Sequence, residues 1–217
     1  MLLPELRKIV CDTNMALTEH RLVTMTSGNA SGRDPETGYI VVKPSGVEFE
    51  DLTPEQMVIV DDRCNVIDGN LKPSVDALTH CYIYRHRLDV FSIIHTHSNY
   101  ATSFAALGQP IPPVLTAIAD EFGEPIPCAP YCEIGEEQIG AAVVEHIGTC
   151  CAVLLQSHGV FAIGADCKSA LKAAVMCEDV AKTVHLAMLR GTPLPIPEEE
   201  VRRGYKRYQE KYGQKKE

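Results

Sequence analysis

The segment Phe91-Ser92-Ile93-Ile94-His95-Thr96-His97 sets two histidines two residues apart at the end of an apolar run. In an extended chain that spacing turns both imidazoles to one side of a sheet, a preformed two-nitrogen clamp for a metal. Zinc, or another divalent cation that accepts imidazole nitrogen, commonly takes three protein ligands where one position stays open for chemistry. The best candidate for the third donor is His158 in Val153-Leu154-Leu155-Gln156-Ser157-His158-Gly159, which follows another apolar run and precedes a glycine suited to a tight turn. Asp76, in Lys72-Pro73-Ser74-Val75-Asp76, either ligates or orients the metal, or only caps a helix. His20, His80, His86, His146 and His185 lack this spacing and are assigned ordinary packing or solvent roles.

A second chemistry is anion binding. Thr26-Ser27-Gly28-Asn29-Ala30-Ser31-Gly32 combines glycines, hydroxyls and an amide, the composition that lets backbone N–H groups approach an oxyanion. Lys43-Pro44-Ser45-Gly46 adds a cation, and Ser74 adds a hydroxyl close in sequence to Asp76. Each loop alone is ordinary turn chemistry. Together they point to a phosphate held beside a metal.

These residues need a scaffold of alternating elements. Leu3, Leu6, Ile9, Val10, Thr13 and Leu17 recur at helical spacing, and 24–34 reads as loop. Tyr39 to Val42 has strand character, and Thr53-Pro54-Glu55-Gln56 opens a short helical turn before the strand Val58 to Val60. Asp76 to Arg87 is a helix, Val90 to Thr96 a buried strand, and Ser98 caps a helix that Gly108 ends. Ile134 to Ile147 is helical, Ala152 to Leu155 and Val160 to Ile163 are short strands, and Ala165 to Leu189 is a long helix. Pro193, Pro195 and Pro197 end it and precede a charged tail from about 198, with Tyr205, Tyr208 and Tyr212 on one helical face. This alternation by itself suggests a layered α/β body with a parallel sheet.

With 217 residues, of which 45% are hydrophobic, the chain suits one domain with one substantial core. A net charge of −9 argues against a nucleic-acid surface, which clustered Lys and Arg would build. No apolar run reaches membrane-spanning or signal-peptide length, so the expected location is cytoplasmic, without a membrane partner. Nine cysteines, many on apolar segments, are expected as reduced thiols. Cys128 and Cys132 are close enough for a metal, but no second pair at zinc-finger spacing accompanies them.

The motifs Gly28-Asn29-Ala30-Ser31, Lys43-Pro44-Ser45-Gly46, Pro73-Ser74-Val75-Asp76, His95-Thr96-His97, Ile126-Pro127-Cys128 and Ser157-His158-Gly159, taken in order, resemble the class II aldolase/adducin family over nearly the whole chain. That resemblance implies a single three-layer αβα domain with a mixed, largely antiparallel central sheet, assembled as a homotetramer with active sites between subunits. It implies zinc on His95, His97 and His158, with Asp76 at or beside the metal. Gly28, Asn29, Ser45, Gly46 and Ser74 would line the phosphate site of a phosphorylated keto sugar, with Lys43 in support.

Within the family, three features resemble the branch that epimerises L-ribulose 5-phosphate at C4 rather than the aldolases. Asp76 stands where fuculose-phosphate aldolases carry glutamate. Asp120 matches the epimerases' catalytic aspartate, and Tyr212-Gly213-Gln214 resembles their carboxyl-terminal Tyr-Gly-Gln. By this likeness Asp120 and Tyr212 are the proton-transfer residues, Tyr212 reaching a neighbouring subunit's site. Without the family, Asp120 reads as a cap and Tyr212 as part of a packing stripe. Val75 replaces a usual serine, Ile118 a usual histidine, the segment before Tyr212 lacks the epimerases' histidines, and the stretch from Cys128 to Cys151 is shorter. Pro127 to Tyr131 looks aldolase-like. A sugar-phosphate aldolase is therefore the alternative. An adducin-like interaction domain is the distant one, and the three metal histidines argue against it.

Overall fold

The computed structural model describes residues 1–135 and 137–213. These form a single sheet of eight strands: β1 (Asn29–Arg33), β2 (Ile40–Val42), β3 (Val58–Val60), β4 (Val66–Asp68), β5 (Ser92–Thr96), β6 (Cys128–Ala129), β7 (Ala152–Leu155) and β8 (Gly159–Gly164). Their spatial order is β4-β3-β2-β1-β5-β8-β7-β6, and all neighbours are antiparallel except the β6–β7 pair. The mixed, largely antiparallel sheet implied by the family resemblance is thus present. The parallel sheet suggested by alternation is not, because alternation fixes element order and leaves strand direction open.

Strand periodicity divides the core in two. Ala30, Val41, Ile59, Ile94, Leu154, Val160 and Ala162 face one helical layer, made with α1 (Pro4–Glu19), α3 (Asn99–Ala106), α4 (Thr116–Phe122) and α6 (Cys167–Met188). Their neighbours Ile40, Val42, Val58, Val60, Ile93, Val153, Phe161 and Ile163 face α2 (Ala77–His86) and α5 (Gln138–His146). This inside-outside alternation on both faces is what a sheet buried between two helical layers requires. The result is the three-layer αβα arrangement.

The expected capping of the short turn is borne out: Gln56 Oε1 accepts the Thr53 N–H at 2.9 Å over the 3-10 turn Pro54–Gln56. The loop reading of 24–34 is corrected, since Asn29–Arg33 is a central strand paired with both β2 and β5. Ala30 and Gly32 are small because α1 lies directly on that face. A Cβ on Gly32 would come within 2.8 Å of Val10 Cγ2. The helix expected from Ile134 begins only at Gln138, and β4, β6 and α4 are present in addition to the expected elements. The charged tail forms α7 (Glu198–Lys211), which lays Val201 and Tyr205 against α4. Among the described residues all nine cysteines are free thiols, and no helix is long and apolar enough to cross a membrane.

Candidate metal centre and anion pocket

The end of β5 and the starts of its two antiparallel neighbours, β1 and β8, meet at one edge of the layers. Asn29 pairs with His95, and His95 pairs with Phe161, three residues past His158. Because His95 shares the face of Ile93, its ring points toward α2, where it stacks on Phe161 with centroids 4.3 Å apart. His97, two residues on, points the same way, and the Nε2 atoms of His95 and His97 lie 3.0 Å apart. His158 completes the set: its ring centroid is 4.8 Å from that of His95 and 5.1 Å from that of His97. One donor atom from each of the three histidines lies within 4.8 Å of the others.

Hydrogen bonds prepare these rings for a cation. His95 Nδ1 is 3.0 Å from the Val160 carbonyl, which only accepts, so that nitrogen carries the proton and Nε2 keeps its lone pair. His97 Nδ1 is 3.0 Å from the Ser27 hydroxyl. A hydroxyl donates or accepts, so it suits either tautomer of His97, including the one that frees Nε2 for an ion. Burial pushes the His95 pKa down to about 3 against the opposing pull of Asp76, and burial also lowers that of His158. Both shifts favour the neutral imidazole, the form that can bind a metal ion. The donor set therefore fits zinc or a similar divalent cation.

Gly159 makes this closeness feasible. A Cβ there would sit 2.4 Å from the Thr96 carbonyl and 2.7 Å from His97 Cδ2. On the opposite side, Gly28 has φ of +94°, and a Cβ would lie 2.7 Å from Val23 Cγ1 and 2.9 Å from the His95 carbonyl.

Asp76 stands beside the three imidazoles at the start of α2, without bonding that helix's amides. Its Oδ2 accepts the Asn29 Nδ2–H at 2.6 Å, and Asn29 Nδ2 is also 3.2 Å from Ser74 Oγ. Burial alone would raise the Asp76 carboxyl. The surrounding imidazoles of His95 and His80, the Asn29 amide and His158 outweigh it and hold the pKa below the usual carboxylate range.

A pocket of about 410 Å³ opens above this cluster, lined by Gly28, Asn29, Lys43, Ser45, Gly46, Ser74, Asp76 and the three histidines. All the residues expected to bind phosphate thus share one cavity with His95, His97 and His158. Their individual chemistry differs from a simple basic pocket. Lys43 is buried, its Nζ donates to the Val47 carbonyl at 2.5 Å and sits 4.7 Å over the Phe49 ring. Burial lowers its pKa, with Glu48 opposing. The cation therefore fixes the shape of its own turn. Ser45 N donates to Lys72 O and Ser74 N to Lys43 O, which joins the two loops, while the Ser74 hydroxyl accepts from the Asn29 side chain and the Asp76 amide. Thr26, Ser27, Val75 and Ile134 also line the pocket. Of these, Ser27 and Thr26 were visible in the glycine-rich motif, whereas Ile134, 80% exposed on the approach to α5, carried no signal.

Asp120 and Tyr212 lie elsewhere on the chain. Asp120, on α4, accepts from Arg207 of α7 at 3.2 Å in a groove with Thr116, Glu200 and Gly204. Tyr212 is 73% exposed and stacks on Tyr208 with centroids 4.3 Å apart. Within one chain neither lines the metal pocket. Gln214, the last residue of the Tyr-Gly-Gln likeness, lies outside the described residues. Ile118 is fully buried in the core and does not line the pocket. Cys128 and Cys132 take no part in the cluster. His80, read as an ordinary packing residue, is 1% exposed, with Nδ1 2.7 Å from Ser31 Oγ.

The family model for the Class II Aldolase and Adducin N-terminal domain matches residues 8–185. Among solved structures, an L-fuculose 1-phosphate aldolase superposes with a TM-score of 0.90 at 29% identity, covering 94% of this chain and 96% of that one. YgbL from Klebsiella pneumoniae superposes with a TM-score of 0.81 at 24% identity, covering 92% and 97%. An L-fuculose 1-phosphate aldolase from Glaciozyma antarctica PI12 does so with 0.81 at 22% identity, covering 94% and 81%. The latter two likenesses are of fold.

Proposed function

The chain belongs to the class II aldolase and adducin family, and from that premise we propose that it cleaves and re-forms a carbon–carbon bond in a phosphorylated keto sugar, as an L-ribulose-5-phosphate 4-epimerase. The observation that carries the reading is the convergence of His95, His97 and His158 in one pocket with Gly28, Asn29, Ser45, Gly46 and Ser74. Such a pocket suits a substrate with an oxygen-rich head at the imidazoles and a phosphate some atoms away.

His95, His97 and His158 would hold zinc or another divalent cation, with Asp76 beside it. Bound there, the ion supplies Lewis-acid stabilisation of negative charge on the ketone end of the sugar. The hydroxyls of Ser45 and Ser74, with Gly28, Asn29 and Gly46, hold the phosphate. Asn29 also keeps Asp76 turned toward the histidines through its 2.6 Å hydrogen bond. Removing the C4 hydroxyl proton lets the C3–C4 bond break, so that C4 becomes a flat aldehyde and the bonding pair passes toward the ketone. The phosphate loops retain the aldehyde while it rotates. Addition to its other face then inverts C4, and a proton returns to the new alkoxide. Asp120 and Tyr212 of a neighbouring subunit are the proposed pair for these transfers, exchanging acid and base roles in the two half-steps. That assignment entails a homo-oligomer, here a homotetramer.

A second reading is favoured by the 29% identity to an L-fuculose 1-phosphate aldolase over nearly the full length of both chains. The same pocket would then release its aldehyde instead of re-adding it. The zinc-loaded protein should be given L-ribulose 5-phosphate and L-fuculose 1-phosphate in parallel. D-xylulose 5-phosphate with no free glycolaldehyde phosphate supports the epimerase. Lactaldehyde and dihydroxyacetone phosphate from the fuculose substrate supports the aldolase, and turnover of neither overturns both substrates.

A further inference from the structure

Helix α3 braces two of the three histidines at once. Its first residue follows His97 by two positions. Near its other end the Ala105 carbonyl accepts the N–H of Ser157 at 3.0 Å, the residue just before His158. Ser157 is held at φ of +59°, so this bond supports a turn few non-glycine residues adopt. α3 is therefore tied to His97 through the chain at one end and to the residue before His158 through a hydrogen bond near the other.

The start of α3 is fixed in an unusual way. Ser98 occupies the capping position, yet its side chain bonds no helix amide. The amides a cap would satisfy, those of Tyr100 and Ala101, donate instead to the two carboxylate oxygens of Glu178, at 3.0 and 2.8 Å. Glu178 lies on α6, the long helix packed across the same layer, 77 residues away from Ala101. A carboxylate at a helix start, with one oxygen on each free amide, is a strong directional anchor. Glu178 does not line the pocket.

We propose that Glu178 is a positioning residue for the metal centre: by clamping the N-terminus of α3 to α6 it holds in place the helix to which both His97 and His158 are tied. The proposal rests on the reading of His95, His97 and His158 as a metal site. Cobalt(II) is the probe, because its visible absorption reports coordination geometry without any need for turnover. The wild-type protein should bind cobalt(II) and show a visible band. Glu178→Ala should weaken binding about tenfold or more, the range seen when supports of metal ligands are removed, and alter the band. Glu178→Gln, which keeps one acceptor oxygen and the side-chain size, should fall between and remains informative should the alanine variant not fold. Val60→Ala, a core change on β3, serves as a matched loss of melting temperature. Wild-type affinity and spectrum in both Glu178 variants would overturn the proposal, as would an equal loss of affinity in Val60→Ala. No cobalt binding by the wild type would instead overturn the metal reading itself.

Discussion

His95 and His97 present their Nε2 atoms to each other at 3.0 Å while His95 Nδ1 is committed to the Val160 carbonyl. In the metal-free chain one Nε2 can donate a proton to the other across this distance, and a cation accepted by both lone pairs takes that proton's place. Zinc should therefore bind the folded chain preferentially and stabilise it. At a free concentration 100 times its dissociation constant the gain is about 2.7 kcal/mol, a rise in melting temperature of roughly 5–10 °C for a chain of this size. Thermal melts across a zinc titration test this, with His158→Ala as the comparison. A melting temperature independent of zinc would remove the centre from consideration.

Gly159 occupies a place no side chain can share, since a Cβ would lie 2.4 Å from the Thr96 carbonyl. Gly159→Ala should force β8 away from β5 at the metal end and cost about 1–3 kcal/mol, the usual range for overpacking. Urea unfolding should show that loss, and metal affinity should drop with it because His97 Cδ2 is the next atom struck. An alanine variant as stable and as metal-avid as the wild type would contradict the packing argument.

How far the sequence revealed this site depends on the kind of signal each residue leaves. His95 and His97 were legible because a spacing of two has one geometric meaning in a strand, and His158 because a turn glycine follows it. Asn29 to Arg33 carries the signal of a loop, since nothing in its glycine, serine and asparagine shows that α1 presses on Gly32. Strand direction was hidden because alternation constrains order alone, and the antiparallel sheet came from the likeness of whole motifs. Glu178 and His80 left no trace. Their meaning lies in contacts to Ala101 and Ser31, residues 77 and 49 positions away, and a lone carboxylate or imidazole on a helix has no periodicity to betray it.

His80 gives the fold a specific acid sensitivity. It is buried under Asp76 on α2, bonded to Ser31, and burial pushes its pKa down to about 4, with Asp76 opposing. The folded chain thus resists protonation there, while the unfolded chain takes up a proton near pH 6.5. Stability from this residue is complete above about pH 6.5 and declines as pH falls toward about 4, where the loss reaches about 3 kcal/mol. His80→Gln should remove that component, so that between those pH values its unfolding free energy falls less steeply, by up to about 1.4 kcal/mol per pH unit. Parallel slopes for wild type and variant would show that His80 titrates alike in both states.

Asp120 and Tyr212 stand outside the pocket that holds the histidines of their own chain. If they transfer protons in the reaction, they must do so at a neighbour's site, and this has a consequence that single variants cannot mimic. His97→Ala and Asp120→Asn should each be inactive alone, the first through its metal site and the second with metal affinity unchanged. Co-expressed, the two should form mixed oligomers in which some interfaces join an intact histidine set to an intact Asp120. For random mixing in a ring with one site per interface, activity should return to about a quarter of wild type. A mixture verified as hybrid and still as inactive as its parents would place the acid–base chemistry on other residues.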